Sequence, residues 1–195
     1  MTVLSPPRPA IIDRALRDAR RWCAGHTIDD RPALVHAVRV AVTIGDHVPQ
    51  PPPDLVAAAL LHDVPDFAPA TPDIYQTLAA GYRPEVPRII AALQAEHRAL
   101  DEPDPPISVN DLPVLLASTA DKIVAVGSLL RRAHASGDTP GFFARRPALL
   151  ALLPHFRVFQ QTAHPRVPAS MSARLDLTLT RLEQATATIQ TASTR

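Results

Sequence analysis

Cysteine occurs once in the 195 residues, at Cys23, which rules out an internal disulfide and a cysteine-rich zinc site. That lone thiol reads as a small apolar residue beside Trp22 on a first helix, and its solitude fits a reducing cytoplasm. Glycine is also scarce, at six residues. Alternating strand patterns bounded by hairpin turns are missing as well, which argues against a β architecture. Lysine occurs once, at Lys122, against nineteen arginines. With so much alanine and proline, that imbalance is the mark of a GC-rich genome. The formal net charge is only +1, so neither a nucleic-acid partner nor a membrane surface is expected. No run reaches the roughly 18 to 20 uninterrupted apolar residues of a membrane span. The opening "MTVLSPPRPA" lacks a charged start followed by an apolar stretch, so a signal peptide is not expected. What remains is 46% hydrophobic and 20% charged, an ordinary balance for a soluble globular protein, and the length suits one domain over 1–195, expected in the cytoplasm on the cysteine usage.

The chain does have proline, 22 residues of it, and it punctuates one helical pattern after another. "AIIDRALRDARRWCAG" has helical spacing at Ile11, Leu16 and Trp22 and stops at Gly25. "PALVHAVRVAVTIGDH" places Leu34, Val38 and Val42 along one face. "PPDLVAAALLHD" begins with prolines, which suit a first turn, and ends before Pro65. "TPDIYQTLAAGY" predicts Thr71 as N-cap and Pro72 at the first helical position. "PEVPRIIAALQAEHRAL" and a polar loop, "DEPDPPISVND", come next. "LPVLLASTADKIVAVGSLLRRAHASG" is apolar for three turns on both sides of Asp121, which predicts a central, buried helix. "GFFARRPALLALLPHFRVFQQTA", interrupted near Pro147 or Pro154, and a helix over 169–190 complete the pattern, with "TASTR" frayed. The expected fold is a single all-α bundle of about eight helices, its core spanning about 10–165.

Polar residues interrupting the most apolar helices are the candidates for chemistry. His36 interrupts "ALVHAVRVA", His62 and Asp63 close "AALLHD", and Asp121 interrupts "LLASTADKIVAV". Each alone has an ordinary explanation: a histidine satisfied by neighbours, or an aspartate paired with Lys122 or an arginine. Their order on three apolar helices is harder to dismiss, because a carboxylate in an apolar bundle is expensive and a divalent cation offsets that cost. Adjacent helical residues point about 100° apart. His62 and Asp63 can therefore share a metal only near a helix end, and Pro65 supplies one.

With these residues the sequence resembles the HD-domain metal-dependent phosphohydrolases, whose signature is H…HD…D. "RPALVHAVRVA", "AALLHDVPDF" and "LLASTADKIVAVGSLLR" are similar to one branch, the RelA/SpoT-type guanosine tetraphosphate (alarmone) hydrolases and their small single-domain relatives. The resemblance covers roughly 10–165. It implies an all-α fold and a divalent metal, manganese in that branch, held by His36, His62, Asp63 and Asp121. It also implies that Asp66, matching the first residue of the branch's Glu-Asp pair, positions or deprotonates the attacking water. The second of that pair is Phe67 here. Ser118 and Ala125 replace a lysine and an asparagine of the Asp121 helix, and "GHTIDD" replaces a basic nucleotide-contacting stretch.

The leading reading is a metal-dependent phosphohydrolase of a small nucleotide, with (p)ppGpp-type 3′-pyrophosphohydrolysis foremost. Lys122, Arg131 and Arg132 are candidates to meet phosphates. Against that stand a buried salt bridge for Lys122 and solvated helix-end positions for the arginines. The alternatives are an HD-type 5′-nucleotidase and a degenerate, non-catalytic module that binds metal or nucleotide. A two-metal HD enzyme needs further histidines between Asp63 and Asp121, and only His97 lies there.

Overall fold

The computed structural model describes residues 2–28, 30–68, 73–102, 105–107 and 110–193, with side chains as far as Ala187. The bundle is organised around α7 (Leu112–Ala135), a helix of 24 residues. Asp111 caps it by accepting from the Val114 N–H at 3.3 Å, and Pro113 sits in the first turn, where no helical bond needs its missing N–H. Every residue from Val114 to Val124 is buried, as the apolar run predicts. By length and composition α7 is apolar enough to cross a membrane, but 67% of its most apolar window is buried inside the bundle.

The helices ahead of α7 are α1 (Ala10–Trp22), α2 (Ala33–His47), α3 (Pro53–Leu61), α4 (Val64–Phe67), α5 (Ile74–Gly81) and α6 (Glu85–Ala99). After it come α8 (Thr139–Ala144), α9 (Pro147–Ala151), α10 (Leu153–Ala163) and α11 (Ala169–Ser193). α3 is the second buried element. Leu55 to Leu61 are all inaccessible, and three alanines in that run let α1, α2, α6 and α7 close around it. α11 lies against α7, α8 and α10, and Arg157 of α10 reaches Glu183 and Asp176 of α11, each at 2.6 Å.

Among the described residues, eight helices run to eight residues or more, in line with the count expected from sequence. The additional three, α4, α8 and α9, are four to six residues long, and each begins with proline at its first or second position. The prolines near 147 and 154 both interrupt the pattern, which leaves three helices where one broken helix was expected. The Thr71 cap and Pro72 start lie outside the described residues. Within them α5 is capped by Asp73, whose carboxylate accepts from the Tyr75 N–H at 2.9 Å. The expected fray at "TASTR" is corrected as far as Ser193, where α11 still holds.

One small β element does form. β1 (Thr27–Ile28) and β2 (Arg31–Pro32) pair antiparallel inside "GHTIDDRP". The reversal needs a residue with positive φ, and Asp30 takes it at 60°; aspartate tolerates that region better than most side chains.

Candidate metal centre

α3 cannot run on through Pro65. In a continuous helix the ring would collide with the carbonyl four residues back, at Leu61, and the missing N–H would break a bond. The chain instead ends α3 at Leu61 and restarts at Val64, with His62 and Asp63 in the corner between. Both side chains therefore leave a helix junction rather than one regular face.

Asp63 and the other three residues singled out in the sequence converge there. His36 Nε2, from α2, lies 2.8 Å from Asp121 Oδ1, from α7, and 3.8 Å from Asp63 Oδ2. His62 Nε2 lies 3.2 Å from Asp63 Oδ1 and 3.6 Å from Asp121 Oδ1. Ligand bonds of about 2.0–2.2 Å keep donors within about 4.4 Å of one another, and these four separations satisfy that. Donor atoms of His36, His62 and Asp121 all lie within 4.8 Å of each other, with Asp63 completing the rim.

The hydrogen bonding around His62 tests whether a cation fits. Its Nδ1 lies 2.9 Å from the Ala59 carbonyl, which can only accept, so that nitrogen carries a proton. Nε2 is left facing the cluster. The side chain is fully buried, and Nε2 and Asp63 Oδ2 have no hydrogen-bond partner among the described residues. A buried imidazole nitrogen and a buried carboxylate oxygen without hydrogen-bond partners are costly. A divalent cation would satisfy both, and a ring whose second nitrogen bonds a carbonyl is the usual environment of a metal-ligating histidine. The residues present fit such an ion.

The electrostatics point the same way. Burial alone would lower the His62 imidazole, yet Asp63 and Asp121 outweigh it and raise the ring to about 9. Burial would raise Asp121, but the imidazoles of His36, His62 and His97 hold it well below the usual carboxylate range. Two carboxylates are thus packed where positive charge is wanted.

Two residues of α6 complete the surroundings, and neither was a sequence candidate for the site. His97 Nε2 lies 3.2 Å from Asp121 Oδ2, so both oxygens of that carboxylate are engaged by imidazole. The sequence signal for His97 was its solitude between Asp63 and Asp121. Gln94 is buried, and its Nε2 donates at 2.9 Å both to the His62 carbonyl and to Asp66 Oδ2. It ties Asp66, on the turn after the His-Asp corner, to the backbone of that corner. Nothing in an amphipathic helix distinguishes a glutamine with this task.

The remaining candidates divide. Lys122 points away from the cluster: its ammonium pairs with Glu96, donates to Ser118 Oγ at 2.9 Å and stands 4.3 Å over the Phe159 ring. That is the buried salt bridge weighed against a phosphate contact, and it leaves no ammonium hydrogen directed at the centre. Ser118 also donates to Glu96, at 2.6 Å. Arg132 is held by Asp30 at 2.7 Å, whereas Arg131 lines an open cavity. Phe67 stacks on His26 of the "GHTIDD" stretch, ring centres 4.7 Å apart. Two departures from the alarmone-hydrolase pattern, far apart in sequence, are thus in contact.

An α-helical bundle whose buried His-Asp cluster could hold a divalent cation is the class that this fold and site define. No family model and no curated protein matches the chain. Among solved structures, the chain is similar to that of a metazoan ortholog of SpoT that hydrolyzes ppGpp and plays a role in starvation responses. The TM-score is 0.62 at 15% identity, covering 91% of this chain and 98% of that one. The chain therefore has the fold of that hydrolase, the all-α bundle that the H…HD…D resemblance implies.

Proposed function

We propose that the chain is a metal-dependent phosphohydrolase of a small nucleotide, with (p)ppGpp-type 3′-pyrophosphate hydrolysis as its reaction and the cytoplasm as its place. The observation that carries this reading is the unpaired pair of donors, His62 Nε2 and Asp63 Oδ2, buried beside His36 and Asp121. The fold shared with a protein that hydrolyzes ppGpp supports the substrate class.

His36, His62, Asp63 and Asp121 would hold the ion. A divalent cation, manganese in this reading, supplies Lewis acidity toward a phosphate oxygen and acidifies water toward neutral pH. Asp66 is the general base: the Gln94 amide holds Oδ2, leaving Oδ1 to receive the proton of the attacking water. His97, on the far oxygen of Asp121, orients that carboxylate. Lys122 acts at a distance, neutralising Glu96 and fixing the stretch of α7 that carries Asp121.

The Phe67–His26 stack favours a second reading, an HD-type 5′-nucleotidase or a non-catalytic nucleotide-binding module, because an aromatic pair stands where the alarmone branch has a carboxylate and a basic stretch. Phosphate release with manganese, comparing guanosine tetraphosphate, nucleoside 5′-monophosphates and reduced nicotinamide dinucleotide phosphate, separates the cases. Preference for the 3′-pyrophosphorylated nucleotide is the expected result. Preference for 5′-monophosphates selects the nucleotidase, and no turnover despite bound metal selects the module.

A further inference from the structure

One face of α7 that plays no part in the His-Asp cluster is left open between α2 and α11. Two adjoining cavities run along it, of about 570 Å³ and about 500 Å³, sharing Ile123, Arg131 and Arg174. Their floor is aliphatic, built from Val42 of α2 and from Ile123 and Leu130 of α7. Gly127 lies between the two α7 residues, four beyond one and three short of the other, so all three share one stripe of the helix. With no side chain of its own, Gly127 keeps the middle of that stripe low.

The rim is basic. Arg39 stands on the α2 side, Arg131 on α7, and Arg174 and Arg181 about two turns apart on α11. Among the described residues none of these four forms an ion pair, in contrast to Arg132, held by Asp30. The acids of α11 are engaged elsewhere: Arg157 of α10 holds Asp176 and Glu183, each at 2.6 Å. α11 thus divides its charge, with paired acids toward α10 and unpaired bases toward the groove. Among the described lining residues one carboxylate, Asp46, borders the whole length. The mutual repulsion registers at Arg131, whose guanidinium is pulled down by burial and then by Arg39, Arg31 and Arg174.

The shape and chemistry of the groove select its occupant. It follows α7 from Ile123 to His134, about 16 Å or three helical turns, which suits an elongated segment better than a compact anion. Its described lining holds no phenylalanine, tyrosine or tryptophan, the side chains on which the bases of a single-stranded nucleic acid stack. An aliphatic floor between guanidinium rims is instead complementary to a helix with leucine-like side chains on one face and carboxylates beside them. Planar guanidinium forks take carboxylate oxygens two at a time, so such a helix would also relieve the repulsion among the arginines.

We propose that this groove is a docking surface for an acidic amphipathic helix of a partner protein. The apolar face of that helix lies on Val42, Ile123 and Leu130, and its carboxylates meet Arg39, Arg131, Arg174 and Arg181. The inference is independent of the phosphohydrolase reading. Through Arg39 and Val124 the groove adjoins a narrow space bordered by His36, so a docked partner comes to the edge of the metal centre.

Fluorescence anisotropy on the full chain tests the surface. The probe is a labelled helical peptide of about twelve residues, with leucines along one face and glutamates beside them. The wild type should bind it more tightly than a scrambled peptide of the same composition, an oligoglutamate or an oligothymidylate of equal length. Each rim contact is worth a factor of a few, so Arg174→Ala/Arg181→Ala is expected to weaken binding roughly 10-fold. Arg17→Ala/Arg20→Ala, at exposed arginines of α1, should leave it unchanged. Gly127→Leu tests the floor. A Cβ there meets only the Arg131 guanidinium, at an ordinary 3.5 Å, and leucine favours the helix, so the side chain should fill the groove and lower binding at least as far. The proposal is overturned by no binding to the wild type, by equal binding of the scrambled peptide or the oligoglutamate, or by preference for the oligothymidylate. Equal affinity of the wild type and either groove variant overturns it too, as does an equal loss in the α1 control, which would mark general charge attraction.

Discussion

Lys122→Met offers the sharpest test of what the single lysine does. Lys122 and Glu96 are 6% and 4% exposed at their side chains, and Glu96 Oε2 already lacks a partner among the described residues. Removing the ammonium leaves Glu96 buried with only the Ser118 hydroxyl at Oε1. Breaking one side of a buried pair costs about 3–5 kcal/mol. Loss of the ammonium over Phe159, 4.3 Å from the ring centre, adds to it. At about 2–4 °C per kcal/mol for a chain of this size, the melting temperature should fall roughly 6–20 °C. The double variant Lys122→Met/Glu96→Leu strands no charge and should recover most of the loss, since apolar residues replace a buried pair at little cost. Urea denaturation of the wild type, both single variants and the double variant gives the coupling directly. If Lys122→Met kept wild-type stability while KM rose, the lysine would be a substrate contact and the structural role argued for it would be wrong.

Three further outcomes are expected. Asp121→Ala should lose bound metal and any turnover together, because no other residue of α7 reaches the cluster; full metal retention on elemental analysis would break the four-ligand assignment. Asp66→Asn should keep its metal and lower kcat by roughly 10²–10⁴, the range for a positioned acid-base group, and unchanged turnover would place the base elsewhere. Cys23 is buried, and burial, then the nearby Asp63 charge, pushes its thiol from an ordinary value of 9.0 up to about 11. The folded state holds that proton more tightly than the unfolded one, so this stabilising contribution is complete below pH 9 and drains away as pH climbs toward 11. Native iodoacetamide labelling should accordingly stay slow at pH 9 and quicken on unfolding; rapid labelling of the folded chain at pH 8 would contradict the burial.

Where the sequence was informative, the cause was contrast. His36, His62, Asp63 and Asp121 stood out because each breaks an apolar run, and a polar group at such a position must meet something inside the bundle. Pro65 marked the corner for a steric reason that needs no partner helix. Gln94 and His97 carried no such contrast, since polar residues every few positions are ordinary on an amphipathic helix; only the packing of α6 against α3 and α7 reveals which way they face. Arg39 and Arg174 were harder still, because each alone looks like a solvated helix residue and three helices must assemble before they share a cavity with Arg131, the one of the three that the sequence offered as a phosphate contact. The short helices escaped notice because a proline reads as a stop until the next turn shows it to be a start.

The partner that orients His62 is the backbone carbonyl of Ala59. A side-chain partner could be lost by one substitution, and the ring would then be free to flip or to present the wrong nitrogen. A carbonyl one helical turn back cannot be mutated away while α3 remains a helix and ends where Pro65 makes it end. The aim of the imidazole is therefore encoded by helix geometry and a chain break instead of by a second side chain. Position 59 can drift among residues that fit its packing without disturbing the nitrogen that faces the cluster. A centre built this way tolerates wide change in the sequence around it, provided that α3, its closing corner and the packing about position 59 are kept.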